Sequence, residues 1–239
     1  MQHFITDQFS IQGKNISISD ERVLYQCTKV LRYKAWDVII IQSNNTRYEV
    51  SIEWRDKKAL TWTIEKVTSY QLPATSAERL GTESRRPEAL IVAMTNKRDK
   101  MELICQKATE IWISHIIIWT SKRSVIQTIA DNKLDRLKLI CLEAAEQSFN
   151  RTMPEITICR KIQDLPKSYV AYQDWIAYKQ VTPNSLLLTP NLIVGPEGWF
   201  ESTEINYFKQ NNFPFVKLGD TVFRTETAAI IWAWWLKNL

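Results

Sequence analysis

Apolar and polar positions follow two different patterns along this chain. Before residue 70 the apolar residues come in short runs separated by turns: DVIIIQ (37–42), YEVSIEW (48–54) and ALTWTIEKV (59–67). In the last of these, Ala59, Thr61 and Thr63 alternate with Leu60, Trp62 and Ile64. That period of two places successive side chains on opposite faces of a pleated strand. Such segments predict a small β-barrel or curled sheet over residues 1–70, with one helical turn around 19–31. The stretch QLPATSAERLGTESRRP (71–87) is polar and broken by proline and glycine, and predicts a linker. Beyond it, strands alternate with helices. ALIVAM (89–94) is continuously apolar, as a strand buried on both faces must be. Residues 98–111 place Met101, Ile104, Cys105, Ala108 and Ile111 at i, i+3, i+4 spacing, the stripe of an amphipathic helix. HIIIW (115–119) predicts a strand and 134–149 a helix. YVAYQ (169–173), LIVG (192–195) and FVKLG (215–219) predict three more strands, the last two each followed by a helix. The alternation predicts an α/β domain over 88–239 with a mostly parallel sheet. Ligands of such sheets sit at the carboxyl ends of the strands, where IVGPEG and VKLGDTVFRTE fall.

Composition narrows the chemistry. Hydrophobic residues make up 45% of the chain and charged ones 24%, which is ordinary for a globular protein. No apolar run approaches the ~18 residues of a membrane span, and MQHFITDQFS lacks the apolar core of a signal peptide. Cys27, Cys105, Cys141 and Cys159 are widely spaced, as expected of reduced core residues in a cytoplasmic protein. His3 and His115 are the only histidines, which argues against a Ser-His-Asp triad or a His-rich metal site, and no metal is expected. A net charge of +5 permits a polyanionic partner without requiring one. Glycine and tryptophan are out of balance: five glycines stand beside ten tryptophans. An AT-rich genome depletes glycine, but it does not enrich tryptophan, whose standard codon is UGG.

Three segments have the residue types a site needs. In GPEG, Gly195 ends a strand, Pro196 fixes φ, and Gly198 lets the backbone approach a ligand. The plain alternative is a strand-to-helix turn with Ser202 or Thr203 at the helix start; neither a Walker A loop nor a G-x-G-x-x-G fingerprint is present. In LGDTVFRTETAAI (218–230), Thr225 or Thr227 caps the final helix and Glu226 suits its positive end, while Arg224 at a strand-end loop suits a carboxylate or phosphate. That helix, AAIIWAWWLKNL, is apolar around most of its circumference, so it is deeply buried or packs on another subunit. At the start of the 98–111 helix, Lys97, Arg98 and Lys100 oppose the helix dipole; they bind RNA phosphate or form a solvated surface.

Together these segments resemble the RsmE family, the small-subunit ribosomal RNA uridine-N3 methyltransferases of the SPOUT (α/β-knot) class. The likeness runs through KxxKxExxxxKATE (97–110), KRSV (122–125), EAAEQS (143–148), MPEI (153–156), IVGPEG (193–198) and LGDTVFRTETA (218–228), with KVLRYKAWD (29–37) nearer the N-terminus. The resemblance implies a PUA-like β-barrel, a trefoil-knotted catalytic domain, a homodimer, and S-adenosylmethionine as methyl donor. It implies a donor pocket lined by Val194, Gly195, Pro196, Gly198, Leu218, Gly219, Val222 and Phe223. Arg224 is the candidate for stabilising charge on the uracil oxygens, and Glu197 or Glu226 for accepting the N3 proton, with a structural cap role open for both carboxylates. RNA contacts are implied at Arg32, Lys97, Arg98, Lys100, Arg123 and Arg151. The target uridine must be exposed, in a single-stranded or splayed segment, for its N3 edge to be reached.

The chain departs from that pattern at several places. Phe149 and Asn150 follow EAAEQS where the family has glycine and arginine, Thr221 replaces an arginine, and His3 stands where an N-terminal arginine is common. Trp36, Trp112 and Trp199 each occupy a position at which the family has glycine. Two readings stand: a gene that reads UGA as glycine, or a divergent lineage with true tryptophan.

Overall fold

The computed structural model describes residues 2–44, 46–56, 59–69, 89–150, 152–172, 191–217 and 221–237. The chain divides into two compact units, Met1–Gly81 with Glu146–Thr152, and Thr82–Ala145 with Met153–Leu239. The polar stretch 71–87 lies outside the described residues.

The first unit is built on a six-stranded sheet: β1 (Gln2–Ile5), β2 (Phe9–Gln12), β3 (Asn15–Ile18), β4 (Val38–Ser43), β5 (Thr46–Asp56) and β6 (Ala59–Ser69), in the order β1-β4-β5-β6-β3-β2. All neighbours are antiparallel except β1 and β4. Phe4, Ile16, Ile39, Ile41, Val50, Ile52 and Trp62 close a single core with Val23 and Cys27. Val23 belongs to α1 (Glu21–Tyr25), which starts where the Asp20 carboxylate accepts from the N–H groups of Arg22 and Val23 at 2.9 and 3.2 Å. The helix then widens, so that Leu31 N–H reaches Gln26 O at 2.8 Å, an i to i+5 bond. The helical turn expected at 19–31 is therefore two windings of different pitch.

Two long-range contacts tie the 146–152 segment into this unit. Arg22 grips Glu146 through both guanidinium nitrogens, each at 2.9 Å, and Ile5 N–H donates to the same carboxylate at 2.9 Å. His3 is buried, donates from Nε2 to Gln42 Oε1 at 3.1 Å, and stacks on Phe149 with ring centroids 5.6 Å apart. Two of the positions that depart from the family pattern thus pack against each other. Burial pushes the His3 pKa below its ordinary 6.5, although the hydrogen bond to Gln42 opposes the shift. The folded value lies below the unfolded one, so the unfolded chain takes up the extra proton. The stability that neutral His3 contributes is complete above pH 6.5 and is lost as pH falls through the folded value. Thermal midpoints measured against pH will fall in that window, and His3→Leu will flatten the slope; equal slopes in both proteins rule His3 out as the cause.

The second unit holds a six-stranded sheet that is parallel throughout: β7 (Ala89–Ala93), β8 (His115–Trp119), β9 (Glu155–Cys159), β10 (Tyr169–Ala171), β11 (Leu192–Val194) and β12 (Phe215–Val216), ordered β12-β10-β11-β7-β8-β9. Among the described residues four α-helices cover it: α2 (Arg98–Glu110), α3 (Asp131–Gln147), α4 (Ser202–Gln210) and α5 (Thr225–Lys237). The pleat sorts the strand residues between two cores. Leu90, Val92, Ile116, Ile118, Leu192 and Val194 meet α2, α3 and α5 through Met101, Ile104, Cys105, Leu137, Cys141, Ala229 and Trp232. Ala89, Ile91, Ala93, Ile117, Trp119 and Ile193 meet α4 through Ile205 and Phe208. Apolar surface on both faces is why β7 reads as an unbroken apolar run. All four cysteines are buried and free, and His115 pairs with Thr157 across β8 and β9 at 3.0 Å. β9 has no counterpart among the strands expected from the sequence.

Candidate functional site

The strand order turns back between β7 and β11, and a cavity of about 370 Å³ opens at the carboxyl ends of β10 and β11. Val194 ends β11, and Gly195 leaves the strand in a tight spot, because a Cβ there meets the Phe200 ring at 3.1 Å and the ring would have to give by a few tenths of an ångström. Phe200 cannot easily yield, since it packs on Trp119 and Phe208. The chain then turns, with Trp199 N–H donating to Pro196 O at 3.0 Å. The Thr225 hydroxyl donates to Gly195 O at 3.1 Å, so it fastens the start of α5 to the end of β11. The cavity lining combines apolar Ala171, Val194, Val222, Phe223 and Ala228 with the charged Lys100, Glu197 and Arg224.

These charges are unequally paired. Lys100 Nζ lies 2.8 Å from Glu197 Oε1 and 3.7 Å from Glu226 Oε2. The hydrogen bond to Glu197 raises the Lys100 pKa above its ordinary value. Burial works to raise the Glu197 carboxyl, but the bond from Lys100, with Asn96 N–H, outweighs it and holds the group below the ordinary carboxylate range. Glu226 Oε2 accepts no hydrogen bond among the described residues. Arg224 is exposed at the cavity, and among the described residues its guanidinium has no hydrogen-bond or ion-pair partner.

The other residues singled out in the sequence divide between this cavity and the surface. Gly195, Pro196, Glu197, Val222, Phe223 and Arg224 line the cavity together. The Gly198 carbonyl accepts from Arg123 Nη1 at 3.1 Å, which joins KRSV to the GPEG turn. Lys100 turns into the cavity, whereas Arg98 pairs with Glu102 at 2.8 Å and Lys97 precedes α2 in solvent. Arg32 lies in the first unit, and Leu218, Gly219 and Arg151 lie outside the described residues. Ser202 is the first residue of α4, as the plain alternative expects, but Glu201 occupies the cap position, and the Glu204 carboxylate accepts its N–H at 2.8 Å. Glu204 also accepts from Lys122 N–H at 2.8 Å and from the Ser121 hydroxyl at 2.9 Å. Sequence reading passed over this buried carboxylate, although Glu201-x-x-Glu204 has the spacing of a capping box.

The architecture is shared with solved structures. A putative methyltransferase from Legionella pneumophila, in complex with the bound cofactor SAM, aligns with a TM-score of 0.78 at 21% identity, covering 100% of this chain and 97% of that one. A ribosomal RNA small subunit methyltransferase E from Neisseria gonorrhoeae, bound to S-adenosyl methionine, aligns at 0.77 and 20%, with the same coverage. At these identities the likeness is one of fold. Curated relatives extend it to sequence. Ribosomal RNA small subunit methyltransferase E 2 of Borreliella burgdorferi is 27% identical over 96% of this chain and 94% of that protein. The Bacillus subtilis methyltransferase E is 26% identical over 95% and 91%. The family model described as RNA methyltransferase domain matches residues 82–237, and the chain belongs to that family.

Proposed function

We propose that the protein is an S-adenosylmethionine-dependent methyltransferase acting on N3 of a uridine in small-subunit ribosomal RNA. The observation that carries this reading is the cavity at the strand ends, where apolar side chains meet Arg224, whose guanidinium has no partner among the described residues. The residues present suit the donor: apolar side chains at Val194, Val222 and Phe223 suit its adenine, and the Gly195–Pro196 backbone at the end of β11 lines the cavity beside them. When bound, the donor supplies an electrophilic methyl on a sulfonium.

The chain's own residues supply the rest. Uridine N3 is a weakly acidic imide and becomes a competent nucleophile when its proton leaves. Arg224 is placed to stabilise the charge that then spreads over the uracil oxygens. Glu197 is committed to Lys100 and its depressed pKa makes it a poor proton acceptor. Glu226 is the other candidate acceptor of the imide proton, and its Oε2 takes no hydrogen bond among the described residues. That atom is buried and Glu226 does not line the cavity, so the proton reaches it through an intervening water. Lys100 orients both carboxylates from the first turn of α2. The PUA-like barrel and the trefoil knot belong to the same proposal, supported by the two sheets and their strand order; an experimental structure with bound donor tests both. So does a cytoplasmic homodimer, supported by Ile231 and Trp234 standing exposed on α5; light scattering tests the pairing.

The deciding experiment supplies labelled donor and small ribosomal subunits that lack the modification, then digests the RNA to nucleosides. Labelled N3-methyluridine is the expected product. Label on any other atom, or none in the presence of measured donor binding, overturns the assignment.

A further inference from the structure

We propose that positions 36, 112 and 199 are glycine in the protein made by its own cells, encoded by UGA codons read as glycine, and that the mouth of the cavity is accordingly open at 199. Backbone geometry and burial point to glycine at all three positions; only the open cavity mouth rests on the proposed function.

Trp36, Trp112 and Trp199 have φ values of 75°, 69° and 64°. For a bulky residue such angles are outliers, since the side chain crowds its own carbonyl. The other non-glycine residues at positive φ, Arg32, Asn44, Phe149 and Asn212, cluster at 49–54°, nearer the tolerated left-handed well. The three tryptophans instead sit with Gly13, at 63°, and beyond it.

Their hydrogen bonds describe motifs that need glycine. At the end of α2, Trp112 N–H bonds to Thr109 O and Ile113 N–H to Ala108 O, at 2.9 and 3.0 Å. That is the Schellman pair, with Trp112 at the position glycine usually fills. Asp37 N–H bonds back to Lys34 O at 3.2 Å, which makes Trp36 the third residue of a turn. Positive φ there is the mark of type II, which calls for glycine. Trp199 closes the Pro196 turn as its fourth residue, where glycine is also favoured.

The side chains agree. Trp36, Trp112 and Trp199 are 74%, 43% and 46% exposed, whereas Trp62, Trp119 and Trp232 are at most 2% exposed and have ordinary φ. Trp234 is exposed too, but it lies within α5, so exposure alone does not mark it and it stays tryptophan here. The chain's five glycines and ten tryptophans fit a transfer from one class to the other. At 199 the consequence reaches the site, because the indole is part of the cavity lining and glycine removes it.

Fragment mass spectra of tryptic peptides from the protein purified from its own cells decide the matter. Peptide 108–122 carries Trp112 and Trp119 together, so it contains its own control. The expected spectra show glycine at 112 and tryptophan at 119, with glycine also at 36 in peptide 35–47 and at 199 in peptide 180–209. Tryptophan at any of the three, glycine at 119, or a UGG codon at any of the three overturns the proposal. A second reading uses recombinant protein carrying tryptophan throughout. Trp36→Gly, Trp112→Gly and Trp199→Gly combined will raise its melting temperature, and Trp119→Gly will lower it. A lower melting temperature for the combined variant also overturns the proposal, and none of these outcomes depends on which RNA is methylated.

Discussion

Replacing Arg224 with alanine will slow methyl transfer at saturating donor by about 100- to 1,000-fold, the usual effect of removing one preorganised donor aimed at developing charge. The size follows from the setting. Arg224 lines the cavity beside apolar residues, and among the described residues nothing competes for its guanidinium. A cation whose partner arrives only with the reaction loses most in the transition state and little in the ground state. Donor affinity, measured separately by calorimetry, will therefore change by only a few-fold. Arg224→Lys keeps the charge but loses the planar fork, and will fall between the two. A fall confined to donor affinity identifies Arg224 as a binding residue only, and an unchanged rate removes it from the chemistry.

The place of Arg224 at the cavity is legible in the sequence because strand-end loops are where parallel sheets bind, and Arg224 follows such a strand. Much of the second unit was visible for a similar reason. β7 and β8 are buried on both faces and leave unbroken apolar runs, and α2 shows its buried stripe at helical spacing. β9 escaped because it is an edge strand: only Cys159 of its residues is buried, so EITIC carries little apolar signal. β1, β2 and β3 escaped because each is four residues long, and in β2 none is buried. Among site residues, the sequence groups Lys100 with Lys97 and Arg98 as RNA-phosphate contacts or a solvated surface. It lies four residues before Ile104 and eight before Ala108, on the inward stripe of α2, and that spacing is the signal that separates it from Lys97 and Arg98. Its partners Glu197 and Glu226 come from the turn after β11 and the first turn of α5, and no local pattern contains that meeting.

Glu204→Ala will cost about 3 kcal/mol of stability, the scale expected when a buried carboxylate leaves several donors without an acceptor. The side chain is 3% exposed and accepts from Ser121, Lys122 N–H and Glu201 N–H, so it links the KRSV segment to the first turn of α4. Alanine leaves the Ser121 hydroxyl and two backbone N–H groups buried or half-buried without that partner, and water can replace only part of what is lost. For a domain of this size the cost corresponds to a fall in melting temperature of roughly 6–12 °C. Glu204→Gln separates the two contributions. It keeps the shape and one acceptor oxygen but turns an NH₂ group toward at least one N–H donor, so it should lose about half as much. The change should reach the cavity as well, because Arg123 beside Lys122 donates to Gly198 O in the turn that lines the cavity. Weaker donor binding in a Glu204 variant that is still folded at the assay temperature will show that this carboxylate shapes the site from behind. Donor affinity that holds while the melting temperature falls will confine its role to the fold.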